Sequence, residues 1–340
     1  MEGETVNCGD QGVDFFEARV DACLADFIES ANVEVLIEFA PSGLSGGAVL
    51  GIQLNHFNCG GIGIGITLCH RIGDACTLSM FVKAWAAMAR GGDTHMVQAP
   101  SFIASALFPP NEALDQKTNE TPKPWGHTRR IRFSSSKIAA LRAAVETSAV
   151  VQVVKPSRVE LVTAAIWKWF MAQKGRAQHG SSMVVVHLVN IRRRMDPPLS
   201  ENVFGNLLQA AHASGNGEMG MGELVSKMRE AIGKIDGEFL RALQGESGYG
   251  IFLEAIGKLG ELKPSDVVMC TSWCNFPFSS TDFGWGKPVW VSPMSSRKLD
   301  GWWLIDSMED IGGIEAWITI DEDWNDLMNF ENEAAWHDNE

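Results

Sequence analysis

The sequence predicts an α/β protein with two domains of similar size. Stretches with strand-like alternation and stretches with helical spacing of apolar residues follow one another along the chain. The 340 residues exceed one ordinary domain, and 45% hydrophobic against 21% charged residues allow two sizeable cores. We predict an N-terminal domain over 1–115, a connection over 116–128 and a C-terminal domain over 129–340, some of whose last strands could complete the first domain.

The first half is organised around a glycine-punctuated apolar run from Val49 to Leu68, which predicts one or two buried strands. A strand at Phe15–Val20 and a helix precede it. A second helix follows it, with apolar residues at helical spacing: Leu78, Phe81, Val82 and Trp85. The glycines of Gly60–Gly65 lie inside the strand pattern, where they permit close backbone approach, so this string is not a dinucleotide loop.

The second half continues the alternation after a Pro- and Asn-rich surface connection over 93–128. Within it Trp167 and Trp169 lie on an amphipathic helix and are predicted to be core residues. The predicted elements are a strand at Thr128–Phe133, helices at Lys137–Thr147 and Pro156–Gln173, a strand at Ser182–Asn190, a helix at Gly222–Gln244, strands at Val267–Asn275, Trp290–Met294, Leu299–Ser307 and Gly313–Ile320, and an acidic helix to Glu340.

Composition excludes several classes of function. The net charge of −14 disfavours nucleic acid as a partner, because phosphate binding needs a basic stripe. No segment has the uninterrupted apolar length of a membrane helix or the pattern of a signal peptide. Seven cysteines without the spacing of a disulfide framework or a zinc site indicate a reducing compartment, so we predict the cytosol.

An anionic ligand would need a local cluster of basic residues, and each candidate cluster can equally be a solvated face or part of a linker. The candidates are Arg129, Arg130 and Arg132; Lys155 and Arg158; Arg192, Arg193 and Arg194; and Arg297 and Lys298.

His70 lies in the string HRIGD, between the apolar strands and the helix that follows them. A histidine at a strand end can be a satisfied polar core residue, a metal ligand or a base. Asp74 is either the N-cap of the helix or, if HRIGD is already helical, a carboxylate on the same face as His70. Gly73 favours a turn and therefore the cap.

Three separated strings carry a resemblance to a known family. They are HRIGD at 70–74, VNIRRRM followed by ENVFGN at 201–206, and DFGWGKP at 282–288 with TSWCNFPF directly before it. Together they resemble the plant BAHD acyltransferases, which move an acyl group from coenzyme A to an alcohol or amine. The resemblance is strongest to the alkaloid and alcohol acetyltransferases. It implies a chloramphenicol acetyltransferase-like architecture, with a solvent channel between two similar domains and the two substrates entering from opposite ends.

The resemblance implies that His70 is the general base. This role agrees with general chemistry, because a neutral imidazole with an unperturbed pKa of about 6.5 accepts a hydroxyl proton near neutral pH. The deprotonating acceptor attacks the thioester carbonyl, and the oxyanion that forms needs a hydrogen-bond donor. The indole N–H of Trp285 is our candidate for that donor.

Other motif residues are implied to be architectural. In the family the aspartate of HxxxD turns away from the cleft and pairs with an arginine, for which Arg192 is the match here. Asp282 is expected to hold a loop together with Gly284 and Gly286, without touching the acyl group.

For coenzyme A the resemblance points to the start of the helix at Lys155, Ser157 and Arg158. A helix N-terminus beside two basic residues also suits a phosphate on physical grounds. The implied reactants are acyl-CoA, with acetyl-CoA expected as co-substrate and no permanently bound cofactor, and a small-molecule acceptor from plant specialised metabolism. The implied enzyme is a cytoplasmic monomer.

One departure from the family keeps alternatives open. Family members carry further strands before the segment that matches Val6, and a chain without them is expected to expose a sheet edge and to be unstable or to associate. A catalytically inactive remnant or a ligand-binding protein of the same fold is therefore an alternative. A hydrolase that uses His70 to activate water is a third, although no nucleophile elbow or metal set accompanies the histidine.

Overall fold

The computed structural model describes residues 6, 9–10, 12–41, 44, 48–91, 97–109, 127–148, 153–177, 182–245, 247–294 and 300–320. The chain divides into two compact units. Unit 1 comprises Met1–Thr118, Glu201–Asn206 and Pro277–Ser296, and unit 2 comprises Asn119–Ser200, Leu207–Phe276 and Arg297–Glu340. Each unit combines a sheet with helices, which confirms the predicted α/β class.

The units divide the chain at other places than the sequence suggested. The short segment at 201–206 and the segment that carries DFGWG cluster with unit 1, although both are far from it in sequence. The reason is that their hydrogen bonds and ring contacts go to the helix that follows His70. The connection predicted at 116–128 lies outside the described residues, except for its last two residues, which begin a strand.

Unit 1 contains a three-stranded sheet in the order β1-β2-β3. Strand β1 pairs parallel with β2, so the chain crosses over between them through two short helices, and β2 and β3 form an antiparallel hairpin. The elements are β1 (Asp14–Val20), α1 (Leu24–Ser30), α2 (Val33–Leu36) with a 3-10 turn at Ile37–Phe39, β2 (Leu50–Phe57), β3 (Ile62–Leu68), α3 (Ala75–Ala89) and α4 (Ala104–Leu107).

The crossover packs on the hairpin through three phenylalanines. Phe27, Phe39 and Phe57 have ring centroids 4.9, 5.6 and 5.3 Å apart in the three pairs, an arrangement that favours edge-to-face aromatic contact. The fully buried Asn55 donates from Nδ2 to the Phe39 carbonyl oxygen at 2.8 Å. The main-chain oxygen of Phe39 therefore has a hydrogen-bond partner in the buried Asn55 side chain.

Glycines inside β3 allow the crossover to approach the strand closely. A Cβ at Gly65 would lie 1.9 Å from the carbonyl oxygen of Phe39, and one at Gly63 would lie 3.2 Å from the Phe57 ring. The prediction of close backbone approach within a strand is confirmed for Gly65, whereas Gly60 and Gly61 lie in the turn before β3 and Gly63 faces a side chain.

Helix α3 runs from Ala75 to Ala89, as the apolar spacing predicted. It ends where Gly91 takes a φ of 68°, a conformation that glycine adopts without strain.

Among the described residues, no helix is both long and apolar enough to cross a bilayer.

Unit 2 contains a six-stranded sheet in the order β4-β9-β8-β7-β5-β6, in which β8-β7 and β7-β5 pair parallel and the other neighbours antiparallel. The elements are β4 (His127–Phe133), α5 (Ser135–Thr147), α6 (Arg158–Ala177), β5 (Ser182–Asn190), β6 (Leu208–Asn216), α7 (Met221–Gly233), α8 (Gly237–Ala242), α9 (Gly248–Gly260), β7 (Val267–Ser272), β8 (Gly301–Asp306) and β9 (Ile314–Ile320).

Helix α6 provides much of the core of unit 2. Trp167 is fully buried and Trp169 nearly so, which confirms the prediction that both are core residues. Phe170 stacks on Trp302 of β8 with ring centroids 5.5 Å apart. The helix is thereby fixed against the middle of the sheet, so its first turn has a defined place relative to the strand ends.

Several predicted elements differ from the observed ones. The chain at 290–294 does not form a strand. The single helix predicted at Gly222–Gln244 is two helices, and Asp236 starts the second by accepting a hydrogen bond from Phe239 N at 2.8 Å. Strand β6 and helix α9 were not predicted, and the acidic helix expected after Ile320 lies outside the described residues.

The close approach at β3 predicts a large difference between two glycine substitutions. Gly65→Ala should lower the free energy of unfolding by roughly 2–3 kcal/mol, because its Cβ would overlap rigid backbone. Gly63→Ala should cost under about 1 kcal/mol, since it meets a side-chain ring that can shift. Urea unfolding of both variants measures this. Equal losses of unfolding free energy in the two variants would show that the backbone preference of alanine, and not the contact with Phe39, sets the cost at both sites.

Candidate active site

His70 follows β3 by two residues, in the turn that leads into α3. The turn is fixed by two backbone hydrogen bonds, from Cys69 N to Val49 O at 2.8 Å and from Ile72 N to Cys69 O at 3.0 Å. The side chain of His70 is exposed. A strand end and a helix start therefore hold an imidazole that solvent or a small substrate can reach.

Asn206 contacts His70 at two points. Its Nδ2 donates to the main-chain oxygen of His70 at 2.6 Å, and its Oδ1 lies 3.1 Å from His70 Nδ1. The residues are 136 positions apart in sequence, yet both belong to unit 1. The amide thus bonds the backbone and the ring of the same histidine.

These two contacts determine which ring nitrogen carries the proton in neutral His70. A carbonyl oxygen only accepts, so the NH₂ group of Asn206 must face the His70 backbone and its oxygen must face the ring. Since that amide oxygen also only accepts, Nδ1 must donate and carry the hydrogen. Nε2 is then the unprotonated nitrogen, with a lone pair available to accept a proton.

Asp74 is the N-cap of α3. Its Oδ1 accepts a hydrogen bond from Thr77 N at 2.9 Å, and the residue is only 2% exposed. The cap satisfies a helix N–H that has no partner within the helix. Of the two alternatives considered for Asp74, the structure has the turn and the cap, and the carboxylate does not lie on a helical face with His70.

The first turn of α3 also binds the segment that carries Asn206. The hydroxyl of Thr77 lies 3.0 Å from the oxygen and 3.1 Å from the nitrogen of Gly205, and Gly205 O accepts from Asp74 N at 3.3 Å. Further along, Asn202 Nδ2 donates to Ala99 O at 2.7 Å. Segment 201–206 is therefore attached at both ends, which places Asn206 next to His70.

The DFGWG motif forms a tight loop around one carboxylate. Asp282 Oδ1 accepts hydrogen bonds from Gly284 N at 2.8 Å and Gly286 N at 3.0 Å. These backbone hydrogen bonds lower the pKa of Asp282. Gly284 and Gly286 have φ values of 107° and 111°, a backbone conformation that residues other than glycine rarely adopt. The loop therefore depends on the carboxylate at its first position and on two of its glycines.

The loop is attached to the far end of α3 through aromatic rings. Phe283 contacts Trp85 edge to face at 4.7 Å, and Trp285 stacks on Phe283 at 5.6 Å with 14° between the planes. Trp285 is 64% exposed. Trp85 lies eleven residues after the Asp74 cap, or about 16 Å along the helix axis. These contacts favour a packing role for Trp285, while its role as oxyanion donor stays a prediction.

Arg192 belongs to unit 2 and is completely buried. Its N–H and its Nη1 both donate to Asn190 Oδ1, at 3.1 and 3.2 Å. The pairing of Arg192 with Asp74 stays a prediction of the family resemblance.

The residues predicted for coenzyme A lie at the start of α6 in unit 2, where most of their polar groups have partners. Ser157 and Glu160 form a reciprocal cap, with Ser157 N to Glu160 Oε2 at 2.7 Å and Glu160 N to Ser157 Oγ at 3.1 Å. Arg158 donates to Asp306 Oδ1 at 2.9 Å and to Gly313 O at 3.3 Å. Lys155 has an exposed side chain and a φ of 48°.

The cap at α6 carries a negative charge. Burial alone raises the pKa of Glu160, but hydrogen bonds from Arg229 and Ser157 outweigh it, so the pKa is lowered. Arg229 bonds both carboxylate oxygens at 2.8 Å. An incoming phosphate would therefore meet this carboxylate as well as the basic residues.

A second histidine is unsuited to the role of base. His187 is buried on β5, with Nδ1 3.1 Å from Cys270 Sγ. Burial lowers the pKa of His187 to about 4 and raises that of the Cys270 thiol to about 12, so both groups are neutral near pH 7. Neither presents a reactive form to a substrate.

Comparison with known proteins first defines the class. The crystal structure of vinorine synthase matches with a TM-score of 0.76 and 31% identity, covering 94% of this chain and 76% of that one. Stemmadenine O-acetyltransferase of Catharanthus roseus is 32% identical over 96% of this chain and 77% of its own length. Limonoid 7-O-acetyltransferase of Citrus sinensis is 36% identical over 95% and 76%. The chain is an enzyme of the acyl-CoA-dependent acyltransferase class.

The family model described as the Transferase family matches residues 1–335. The chain belongs to this family, that of the BAHD acyltransferases, as its three motif strings indicated.

Sequence reasoning singled out the ENVFGN string but missed Asn206 as a site residue. One feature of the sequence could have indicated it: Asn206 directly follows Gly205. A glycine allows a close backbone contact, and the next residue can then make a side-chain contact. Nothing in the sequence paired that amide with a histidine so far upstream.

The ring contacts predict which part of Trp285 matters. Trp285→Phe keeps the stack on Phe283 and removes the indole N–H, so kcat/KM should change by less than about 3-fold. Trp285→Ala removes the stack and should lower the melting temperature and the activity together. Steady-state kinetics and thermal melts of both variants test this. A loss of roughly 10²–10³-fold in a stable Trp285→Phe enzyme would instead assign the N–H to the oxyanion.

Proposed function

We propose that this chain transfers an acyl group, expected to be acetyl, from acyl-CoA to a hydroxyl or amine of a plant specialised metabolite. Family membership supports the donor, and two of the three relatives named above support a hydroxyl acceptor, since they are named for O-acetylation. The observation that carries the chemical role is the double contact between His70 and Asn206, which leaves Nε2 as a proton acceptor on an exposed side chain.

In the proposed reaction, Nε2 of His70 takes the hydroxyl proton as the acceptor oxygen attacks the thioester carbonyl carbon. The carbonyl π electrons move to oxygen and give a tetrahedral oxyanion. Its collapse re-forms the carbonyl and breaks the carbon–sulfur bond. The thiolate of coenzyme A then takes the proton from the imidazolium, so the products are an ester and a free thiol, and His70 returns to its starting form.

Asn206 acts on this reaction through His70. The hydrogen bond to Oδ1 keeps the proton on Nδ1 during the whole cycle, and it orients the ring while the positive charge is present. Asn206 is therefore a positioning residue. Asp74 and Asp282 are proposed to act further out, by fixing the start of α3 and the loop on its far end.

The remaining assignments concern the coenzyme A site, the oxyanion donor, the assembly state and the location. Lys155, Ser157 and Arg158 are proposed to face the coenzyme A phosphates, with Lys155 the most exposed cation among them and Arg158 already bonded to Asp306. Trp285, which the sequence offered as a candidate oxyanion donor, is proposed to act through its stack on Phe283. A monomeric enzyme in the cytosol follows from the composition and the family resemblance.

The proposal is tested with acyl transfer from acetyl-CoA to a panel of plant alcohols, measured by release of the coenzyme A thiol. His70→Ala should lower kcat by roughly 10²–10⁴-fold with little change in melting temperature, because the side chain is exposed and packs little. Asn206→Ala should lower kcat by about 10²-fold with a smaller effect on KM, because the ring loses its orientation and its fixed tautomer.

Asn202→Ala is the matched control. It removes an amide-to-carbonyl hydrogen bond from the same segment, at 2.7 Å, without touching His70. It should lower the melting temperature about as much as Asn206→Ala while kcat stays within a few-fold of wild type. Equal losses of kcat in the two asparagine variants would reduce Asn206 to a structural role. A folded His70→Ala enzyme with wild-type turnover would remove His70 from the mechanism.

A further inference from the structure

Two cysteine thiols meet in unit 1 where two turns adjoin. Cys23 directly precedes α1, and Cys59 lies in the turn between β2 and β3. Both are free thiols, Cys59 exposed and Cys23 half-buried. Cys23 lies between Ala22, whose oxygen accepts from Asn58 N at 3.2 Å, and Leu24, whose N–H donates to Cys59 Sγ at 3.4 Å, so the two cysteines are side by side. The acyl-transfer chemistry proposed above uses neither residue.

The neighbouring residues hold these two turns together. Asn58 N donates to the oxygens of both Val20 and Ala22, each at 3.2 Å, and the side-chain amide of Asn58 bonds the carboxylate of Asp21. The residues directly before Cys23 and Cys59 are therefore bonded to each other. Because these hydrogen bonds fix the two turns against each other, the fold itself places Cys23 beside Cys59.

The surroundings of Cys59 favour its thiolate. Leu24 N donates to Cys59 Sγ at 3.4 Å, and the backbone of Gly61 adjoins the same sulfur. These backbone groups, with the thiol of Cys23, lower the pKa of Cys59. An exposed thiolate with a second thiol beside it is the arrangement of a reactive cysteine and its resolving partner.

We propose that Cys23 and Cys59 form a reversible oxidation site, with Cys59 as the residue that reacts with peroxide and Cys23 as the residue that closes the disulfide. The Cys59 thiolate attacks one oxygen of hydrogen peroxide, the O–O bond breaks, and a sulfenic acid and hydroxide result. The Cys23 sulfur then attacks the sulfenic sulfur, which forms the S–S bond and releases water. Two thiols are oxidised by two electrons and the peroxide is reduced; a dithiol reductant reverses the change.

The disulfide would join the turn before α1 to the turn between β2 and β3. That turn is at the opposite end of β3 from His70, and the seven residues of β3 span about 23 Å. Oxidation should therefore stabilise unit 1 and protect Cys59 from irreversible oxidation, without reaching the imidazole. The site thus serves the persistence of the enzyme under oxidising conditions.

The test treats the full chain with equimolar hydrogen peroxide, alkylates the remaining thiols and maps the peptides without reduction. Chymotrypsin cleaves after Phe57 and Leu68, so Cys59 and Cys69 lie on different peptides. We expect a linked pair of peptides that contain Cys23 and Cys59, lighter by two hydrogen atoms than the free pair and separated by dithiothreitol. The oxidised protein should melt at a higher temperature than the reduced protein.

Two variants separate the roles of the cysteines. In Cys23→Ser the sulfenic acid of Cys59 has no partner, so dimedone should trap it and excess peroxide should carry it to the sulfinic acid. Cys69→Ser is the matched control, since Cys69 also lies in unit 1, and it should keep the Cys23–Cys59 link. The proposal is overturned if Cys59 of the wild-type chain reacts no faster than Cys69, or if the disulfide that forms joins other residues. Because that comparison uses the wild-type chain, it stands even if a variant fails to fold.

Discussion

The candidate active site depends on the hydrogen bonds between Thr77 and Gly205. The Thr77 hydroxyl contacts both the N–H and the oxygen of Gly205. Thr77 is in the first turn of α3, whose cap is Asp74, and Gly205 directly precedes Asn206. One short contact therefore joins two stretches that are separate in sequence, and it brings an amide from a distant segment to the histidine that precedes the helix.

Helix α3 connects the two motif regions of unit 1. Its first turn is bonded to segment 201–206, and its last turns contact the DFGWG loop through Trp85 and Phe283. The 15-residue helix spans about 22 Å. We therefore infer that a change in the DFGWG loop reaches the imidazole through the position of α3, and that the role of this motif is structural. The glycines and the carboxylate of the loop suit that role, since they fix backbone shape.

Much of the fold could be predicted from local patterns. The spacing of apolar residues along the chain can be read directly from a sequence. It predicted strand β3, helix α3 and the burial of the tryptophans of α6. Trp290–Met294 has the composition of a strand, but composition does not supply a partner strand. The membership of 201–206 in unit 1 and the contact of Asn206 with His70 depend on individual hydrogen bonds between residues that are distant in sequence. The spacing of apolar residues carries no information about such bonds. The close approach at Gly65 was expected in kind, although Phe39 as its partner was not.

In this structure, Asn206 keeps neutral His70 in the tautomer with the proton on Nδ1. Nitrogen NMR of the ¹⁵N-histidine-labelled enzyme, with the ring signals of His70 assigned by their loss in His70→Ala, measures this directly. In the neutral ring we expect a protonated Nδ1 and an unprotonated Nε2, and averaged signals in Asn206→Ala. A wild-type ring with the proton on Nε2, or one that is averaged already, would contradict the account.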